Sequence, residues 1–453
     1  MTTSDTAVST TGADTAEEGR AVRKQVPRTS LGQWEPAADR IDPIEVLERQ
    51  AATRVPELVR IRYARMAAGQ FPFYRGAPAI LAADLAAGPN TGLTVQLCGD
   101  AHLSNFGLFA SPERSLIFDI NDFDETLPGP FEWDVKRLVA SVAVAARANG
   151  CDDDEASEAG AAAATAYRET MNRLAGIGDT EVWYERVDAE QVAELLSPKD
   201  RKRTEKVISK AKSRTSLQAL DKLTEPGPDG TPRIKQDPPL VMSVPNTELA
   251  DLDSVLVDYG NTLPEERRVL LNRYQLRDIA MKVVGVGSVG TRCFIALLTG
   301  RATGDPLFLQ VKQAEESVLA QYLRSSVFRH QGHRVVHGQR LTQAASDIFL
   351  GWATGPDGNF YYWRQLRDMK GSLTIDDMSF AELRQYATLC GQTLARGHAR
   401  SGDRVAISAY LGTNDVFDRA MGEFALAYAN QTLTDYDTLQ AAIKSGRIDA
   451  ATD

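Results

Sequence analysis

The segment "GDAHLSN", residues 99–105, places a carboxylate (Asp100), an imidazole (His102) and a carboxamide (Asn105) within six positions. It follows the β-branched run "LTVQL", so these polar groups are expected at the end of a strand. Such a set suits a metal site, a phosphate site, or a turn whose side chains only satisfy its own amides. Phosphoryl transfer asks the most of it. That chemistry needs one carboxylate to orient the attacking hydroxyl and accept its proton, with a carboxamide oxygen and a second carboxylate to hold Mg²⁺ against the phosphates. Asp100 and Asn105 offer the first two groups, and the following segment "SLIFDINDFDE" offers Asp119, Asp122 and Asp124 for the third. His102 could ligate or act as a base, but a histidine here more often hydrogen-bonds within its loop.

A second pattern lies far downstream. "GVGSVG", Gly285 to Gly290, leads into "TRCFIALL", which is β-branched and aromatic in part. A dinucleotide fold would place a helix there. Strand, glycine turn and strand instead suit a loop whose bare backbone covers phosphates. The next expected strand, "LFLQVKQA", carries Lys312 in an apolar setting, where its charge must be matched. A plain hairpin and a lysine reaching solvent are the bland alternatives. Taken together, Gly285, Gly287, Ser288, Gly290 and Lys312 are candidates to bind ATP.

These motifs resemble the kinase-like superfamily that includes sugar, choline and aminoglycoside phosphotransferases. "GDAHLSN" is similar to its GDxxxxN loop, and "DFDE" to the strand end that carries its metal Asp. Asp134 in "EWDVKRLVAS" lies twelve residues past Asp122, similar to the Asp that buttresses the loop in aminoglycoside phosphotransferases at about that distance beyond their metal Asp. The resemblance implies Asp100 as base, Asn105 and Asp122 as metal ligands with Asp119 second, and Lys312 as phosphate contact. The order is inverted, because such kinases place the glycine loop first. It therefore implies an α+β, kinase-like two-lobe fold with a circular permutation. In that fold "CGQTLARGHARSGD", similar to the "LARLHA" helix of small-molecule kinases, would lie beside the start of the "GDAHLSN" loop. The helix Glu that usually pairs with the lysine is unassigned, since Glu315 and Glu316 follow Lys312 too closely.

At the level of the whole chain, "FYRG", "LCGDAHLSNFG", "FDINDFDETLPGPFEWDVKRL", "VGVGSVGTRCF", "GQRLTQAASDIFLGW" and "RQLRDMKGS" resemble the bacterial domain-of-unknown-function family 2252 over roughly residues 45–440. That resemblance implies membership and carries no activity with it.

The elements that must position these residues follow from periodicity and punctuation. Residues 1–40 are poor in large apolar residues and read as a disordered tail. Residues 41–275 read as a helix-rich lobe holding the catalytic-like loop, with "FPFYRG" as an aromatic turn. Residues 276–372 read as a β-rich nucleotide lobe with a hairpin at "GPDGN", and 373–445 as helices completing the first lobe. The basic stretch "SPKDRKRTEKVISKAKSRTS", residues 197–216, is either a solvated helix face or a patch for an anion. His330, His333 and His337 could form a three-His zinc site, but no Glu completes an HExxH pattern. Arg75 of "FYRG" either faces the cleft or pairs with a carboxylate.

Composition bounds the rest. The chain has 453 residues, 43% hydrophobic and 25% charged, with a net charge of −10. An acidic balance argues against a nucleic-acid or anionic-membrane partner. Four separated cysteines and no CxxC fit a reducing cytoplasm. No basic-apolar leader opens the chain, and no apolar run is long enough to span a bilayer. The expectation is an ATP- and Mg²⁺-dependent phosphotransferase acting on a hydroxyl of a small molecule or protein. Its alternatives are a nucleotide-binding pseudokinase or sensor, and a metal-dependent phosphoesterase suggested by "GDAH". Neither the acceptor nor the oligomeric state is legible.

Overall fold

Capping chemistry fixes where the long helices begin. Asp152 and Glu155 close a reciprocal box ahead of residues 153–175, and Ser379 and Glu382 do the same ahead of residues 380–401, each satisfying amides that the first helical turn leaves open. A computed structural model describes residues 12–190, 198–213, 216–227, 230–244, 252–366, 369–371 and 373–451.

Helices α1 (Gly12–Gln25), α2 (Pro43–Ala51), α3 (Pro56–Ala67), α4 (Gln70–Gly76) and α5 (Pro78–Ala86) come first. Two short antiparallel pairs follow: β1 (Thr94–Leu97) with β4 (Leu127–Pro130), enclosing β2 (Phe106–Ala110) with β3 (Leu116–Ile120). Next come α6 (Phe131–Ala148), α7 (Asp153–Ala175) and α8 (Asp179–Tyr184). An insertion then contributes α9 (Pro198–Lys212), α10 (Ser216–Leu223), β5 (Thr224–Pro226), β6 (Pro232–Ile234) and β7 (Val241–Ser243), before α11 (Leu252–Asn261) and α12 (Glu265–Leu271). The main sheet is built from β8 (Tyr274–Lys282), β9 (Cys293–Gly300) and β10 (Pro306–Gln313), then helix α13 (Gln331–Thr342), then β11 (Gly351–Thr354) and β12 (Phe360–Gln365). Helices α14 (Phe380–Ser401), α15 (Arg404–Leu411) and α16 (Val416–Lys444) close the chain. The architecture is α+β.

The sheet order is β11-β12-β10-β9-β8-β7, with antiparallel pairs throughout. Its period-two alternation sends residues to two separate cores. Leu298, Leu309, Val311 and Trp363 pack with Tyr259 and Leu263 on one side. Ile295, Leu297 and Phe308 pack on the other, against Ala219 of α10 and Ile234 of β6. Lys312 shares the register face of Phe308, so it emerges beneath the surface that α10 covers. Burying a side chain such as Phe308, which has no exposure, contributes roughly 2–3 kcal/mol.

The largest core joins helices from both ends of the chain. Val139, Val142 and Ala146 of α6 meet Ala159 and Tyr167 of α7, Leu394 of α14 and Phe424 of α16. This packing delivers the C-terminal end of α14 to the start of β1. The Gln96 amide donates to Ser401 Oγ at 3.1 Å, and a Cβ at Gly402 would lie 2.8 Å from the Thr94 carbonyl oxygen. Residues about three hundred positions apart thus adjoin as a chain end and its continuation would.

The elements differ from the sequence reading at three places. Residues 12–25, read as tail, form α1, whose Arg23 Nε donates to the Tyr410 carbonyl at 2.8 Å. The helix is polar, and it is held by carbonyls together with Val22, which packs on the main core. "FPFYRG", read as a turn, forms most of α4, with Phe71, Phe73 and Tyr74 buried. The β-rich unit also starts earlier than residue 276, taking its edge strand β7 from residues 241–243. The hairpin at "GPDGN" closes as expected, through Gly355 N–H to the Asn359 carbonyl and a left-handed Gly358.

Candidate active site

The "GDAHLSN" loop leaves β1 through Gly99, whose φ of +83° is one that a side chain disfavours. A Cβ there would also lie 2.3 Å from the Glu125 carbonyl oxygen, so the loop closes against the strand end carrying Asp122 and Asp124. Asp134, at the first turn of α6, holds this closure. Its two carboxylate oxygens accept from the amides of Cys98 at 2.7 Å and Gly99 at 3.0 Å, and His398 Nε2 of α14 lies 3.2 Å from the same group. The carboxylate is buried, so it orients backbone and does not face ligand.

Asp100 is met from the next turn of α6. Arg137, three residues after Asp134 and on the same helix face, donates from Nε to Asp100 Oδ1 at 2.8 Å. Burial pushes the Asp100 carboxyl up to about 6 against the opposing pull of Arg137, which suits a general base working near neutrality. The Asn105 amide nitrogen donates to the Asp100 carbonyl at 2.7 Å. That commits the nitrogen and leaves the amide oxygen as the end able to meet a cation. His102 is buried, with its Nε2 3.7 Å from Asp100 Oδ2. Burial and the charges of Arg75 and Arg137 hold its pKa well below the ordinary range, so the ring is neutral.

Lys312 reaches this loop from the sheet. Its Nζ lies 3.3 Å from Asp122 Oδ2 and 2.5 Å from Asp124 Oδ2, while Tyr362 donates to Asp124 Oδ1 at 2.6 Å. Burial would raise the Asp122 pKa, but Lys312, Arg364 and Lys370 outweigh it and hold the carboxyl well below its usual range. Lys312 is likewise held charged by the two carboxylates despite burial.

The glycine turn arches over the same place. Its ends, Gly285 and Gly290, both have positive φ. The turn is pinned from the helices before it: Arg65 donates to the Gly285 carbonyl at 2.9 Å, the Val55 amide to the Gly290 carbonyl at 2.8 Å, and Arg54 to the Val289 carbonyl. Gly285, Gly287 and Ser288 line one cavity of about 360 Å³ together with Asp100, Asn105, Asp122 and Arg75. Arg75 Nε and His102 Nδ1 are buried there without hydrogen-bond partners, which suits a cavity built to receive a polar ligand.

Other residues singled out in the sequence lie elsewhere. Both oxygens of Asp119 are engaged, with Arg396, the Ile120 amide and the Ala344 amide. It is fully buried and is not brought to the cavity. His333 stacks on Trp352 with centroids 4.1 Å apart, and Phe328 packs on His333 and His337. Among the described residues no group of three or more His, Cys, Asp and Glu side chains is placed to hold a metal. An Mg²⁺ held partly by substrate phosphates asks for only one or two carboxylates, and Asp122 with Asn105 fits that smaller requirement. In "RQLRDMKGS", Arg367, Asp368 and Ser372 fall outside the described residues, as do Ser197, Arg214 and Thr215 of the basic stretch.

The sequence reading missed Arg137, Glu125 and Tyr362. The three-residue spacing of Asp134 and Arg137 was the available signal for the first. Glu125 closes the acidic segment "DFDE" and its signal lay there; Tyr362 had none, because only the tertiary fold brings it to Asp124. Burial raises the Glu125 carboxyl to about 7, and its Oε2 accepts from the Val318 amide at 2.8 Å.

No helix of the described residues is long and apolar enough to cross a membrane. No curated protein and no solved structure matches the chain. The family model described as "Uncharacterized protein conserved in bacteria (DUF2252)" matches residues 54–442, and the chain belongs to that family.

Proposed function

We propose that this protein is an ATP- and Mg²⁺-dependent phosphotransferase acting on a hydroxyl, with a kinase-like fold in permuted order. One observation carries the reading: Lys312 of the sheet lies 3.3 Å from Asp122, and the glycine turn shares a cavity with Asp100 and Asn105. Parts of a phosphoryl-transfer site that are nearly two hundred residues apart in sequence converge. Support for the permuted order comes from the element sequence. The glycine turn joins the first two long strands of the sheet, the lysine is on the third, and a helix follows before the last two, as in kinases. The junction of α14 with β1 then supplies the connection that a kinase makes directly.

In this reading Asp100 accepts the proton of the acceptor hydroxyl, oriented by Arg137. The hydroxyl oxygen forms a bond to the γ-phosphorus as the bond from that phosphorus to the bridging oxygen breaks, and the electron pair leaves with ADP. Lys312 exchanges a carboxylate for a phosphate oxygen, and the backbone amides of Gly285–Gly290 cover the phosphates. Mg²⁺, held by Asn105 and Asp122, would supply charge neutralisation of the phosphates.

A second reading, a nucleotide sensor without turnover, draws on one feature. Helix α13 after the lysine strand offers no Glu to Lys312. Its Arg334 instead donates to the carbonyls of Asp124, Thr126 and Glu315. Thermal unfolding with millimolar ATP and Mg²⁺, followed by a search for ADP release over a panel of hydroxylated acceptors, tests both. Stabilisation with ADP release that falls about 10²–10⁴-fold in Asp100→Asn supports the transferase. Stabilisation alone leaves the sensor, and no stabilisation removes both.

A further inference from the structure

Among the described residues three arginines line the cavity that holds Asp100 and the glycine turn, and two of them are committed elsewhere. Arg54 donates to the Val289 carbonyl of the turn. Arg49 is exposed and faces Glu45, four residues before it, at 3.8 Å. Arg75 differs from both. Its Nε is buried without a hydrogen-bond partner, and no step of the proposed reaction uses it.

Two buried arginines hold the backbone on either side of Arg75. Arg137 Nη2 donates to the Tyr74 carbonyl at 2.7 Å, and its guanidinium carbon lies 3.9 Å from the centre of the Tyr74 ring. The Tyr74 hydroxyl donates in return to the Arg137 carbonyl at 2.9 Å. Arg62 Nη2 donates to the Gly76 carbonyl at 2.9 Å. The glycine turn rests on Arg75 itself, since a Cβ at Gly287 would lie 3.5 Å from the Arg75 carbonyl oxygen. Burial opposes the Arg75 charge, and Asp100 and Asp376 offset that effect only in part. Asp100 is already bonded to Arg137, and Asp376 is exposed. The protein's own carboxylates therefore do not fully match this guanidinium, and an anion in the cavity would.

We propose that Arg75 is the ligand of the donor's terminal phosphate, and so the residue that makes the site prefer a nucleoside triphosphate to a diphosphate. The assignment rests on the phosphotransferase reading and adds to it a contact at the phosphorus that is transferred. There the guanidinium fork meets two oxygens of the phosphoryl group. The acceptor oxygen bonds to phosphorus, the bridging oxygen leaves on ADP with the electron pair, and the acceptor proton passes to Asp100. A diphosphate ends short of Arg75 and gains nothing from it.

Calorimetric affinities of the full chain for ATP–Mg²⁺ and ADP–Mg²⁺ test this. Arg75→Gln should weaken ATP binding on the order of tenfold and ADP binding less than about twofold. Arg75→Lys keeps the charge without the planar fork and should retain part of the preference. Arg49→Gln removes the same charge from an exposed position on the same cavity, where it is screened, and should leave the ratio of the two affinities within about twofold. Without nucleotide, Arg75→Gln should melt no lower than the wild type, because an incompletely matched charge is removed from a buried place. Equal weakening of ATP and ADP, no weakening of either, or the same change of ratio in Arg49→Gln would overturn the assignment while the phosphotransferase reading stands. A lower melting temperature with the ATP preference intact would overturn it too, by making Arg75 a structural partner of Asp376. Failure of the wild-type chain to bind ATP would overturn the function itself.

Discussion

Lys312 and Asp122 are 190 residues apart in sequence and 3.3 Å apart in space. The lysine side chain is only 3% exposed and holds Asp122 and Asp124 at once. It joins the sheet to the acidic loop beside the cavity that Asp122 lines, where the proposed function puts phosphate and cation. The pair both closes the site and matches charges that could not be buried alone.

Breaking the pair should therefore destabilise the fold. Lys312→Met keeps the length and apolar stem but leaves two carboxylates facing each other. The expected loss is roughly 2–4 kcal/mol, discounted from a wholly buried pair because both carboxylates remain 30% exposed. Lys312→Met/Asp124→Asn should recover part of that loss, since it removes the repulsion. Urea denaturation of the three proteins measures the coupling. A single variant as stable as the wild type would show that the pair contributes nothing.

Asp134 makes a separate prediction, because it ties the loop after β1 to α14. Its carboxylate holds two amides of the loop and meets His398 from α14. Asp134→Asn keeps the size but offers only one acceptor oxygen. We expect a loss of about 2–3 kcal/mol from weakened charge-assisted hydrogen bonds. Hydrogen exchange should show faster exchange at the Cys98 and Gly99 amides in particular. Uniform loosening of the whole chain, with no excess at those two, would count against a positioning role.

What could be read from the sequence was mostly local. The loop spacing, the glycine turn and the lysine strand each declare themselves within ten residues, since backbone geometry demands those types there. Asp134 could be located by its offset from Asp122. The role of Asp119 could not. It and Asp122 are three residues apart in the same acidic segment, and only the pairing of β2 with β3 and the position of Arg396 decide that Asp119 faces the core. Helix α1 was equally opaque, because its polar sequence is held by carbonyls of α15 rather than by an apolar stripe. The convergence of the two halves is a long-range contact that no local pattern encodes.

Glu125 supplies a pH dependence. Burial raises its carboxyl to about 7 from an ordinary 4.5, against the opposing effects of Arg334 and the Val318 amide. The folded chain thus keeps a proton that the unfolded chain has released. Its contribution to stability is full below about pH 4.5 and is lost as the pH rises through about 7. Glu125→Gln cannot titrate and retains a neutral group of the same shape. The stability of wild type minus that of the variant should fall by about 1–2 kcal/mol between those two values, a range reduced for partial exposure. Titrations elsewhere occur in both proteins and cancel in the difference. Chemical denaturation at half-unit pH intervals measures it, and a flat difference would mean that Glu125 is already ionised in the folded state.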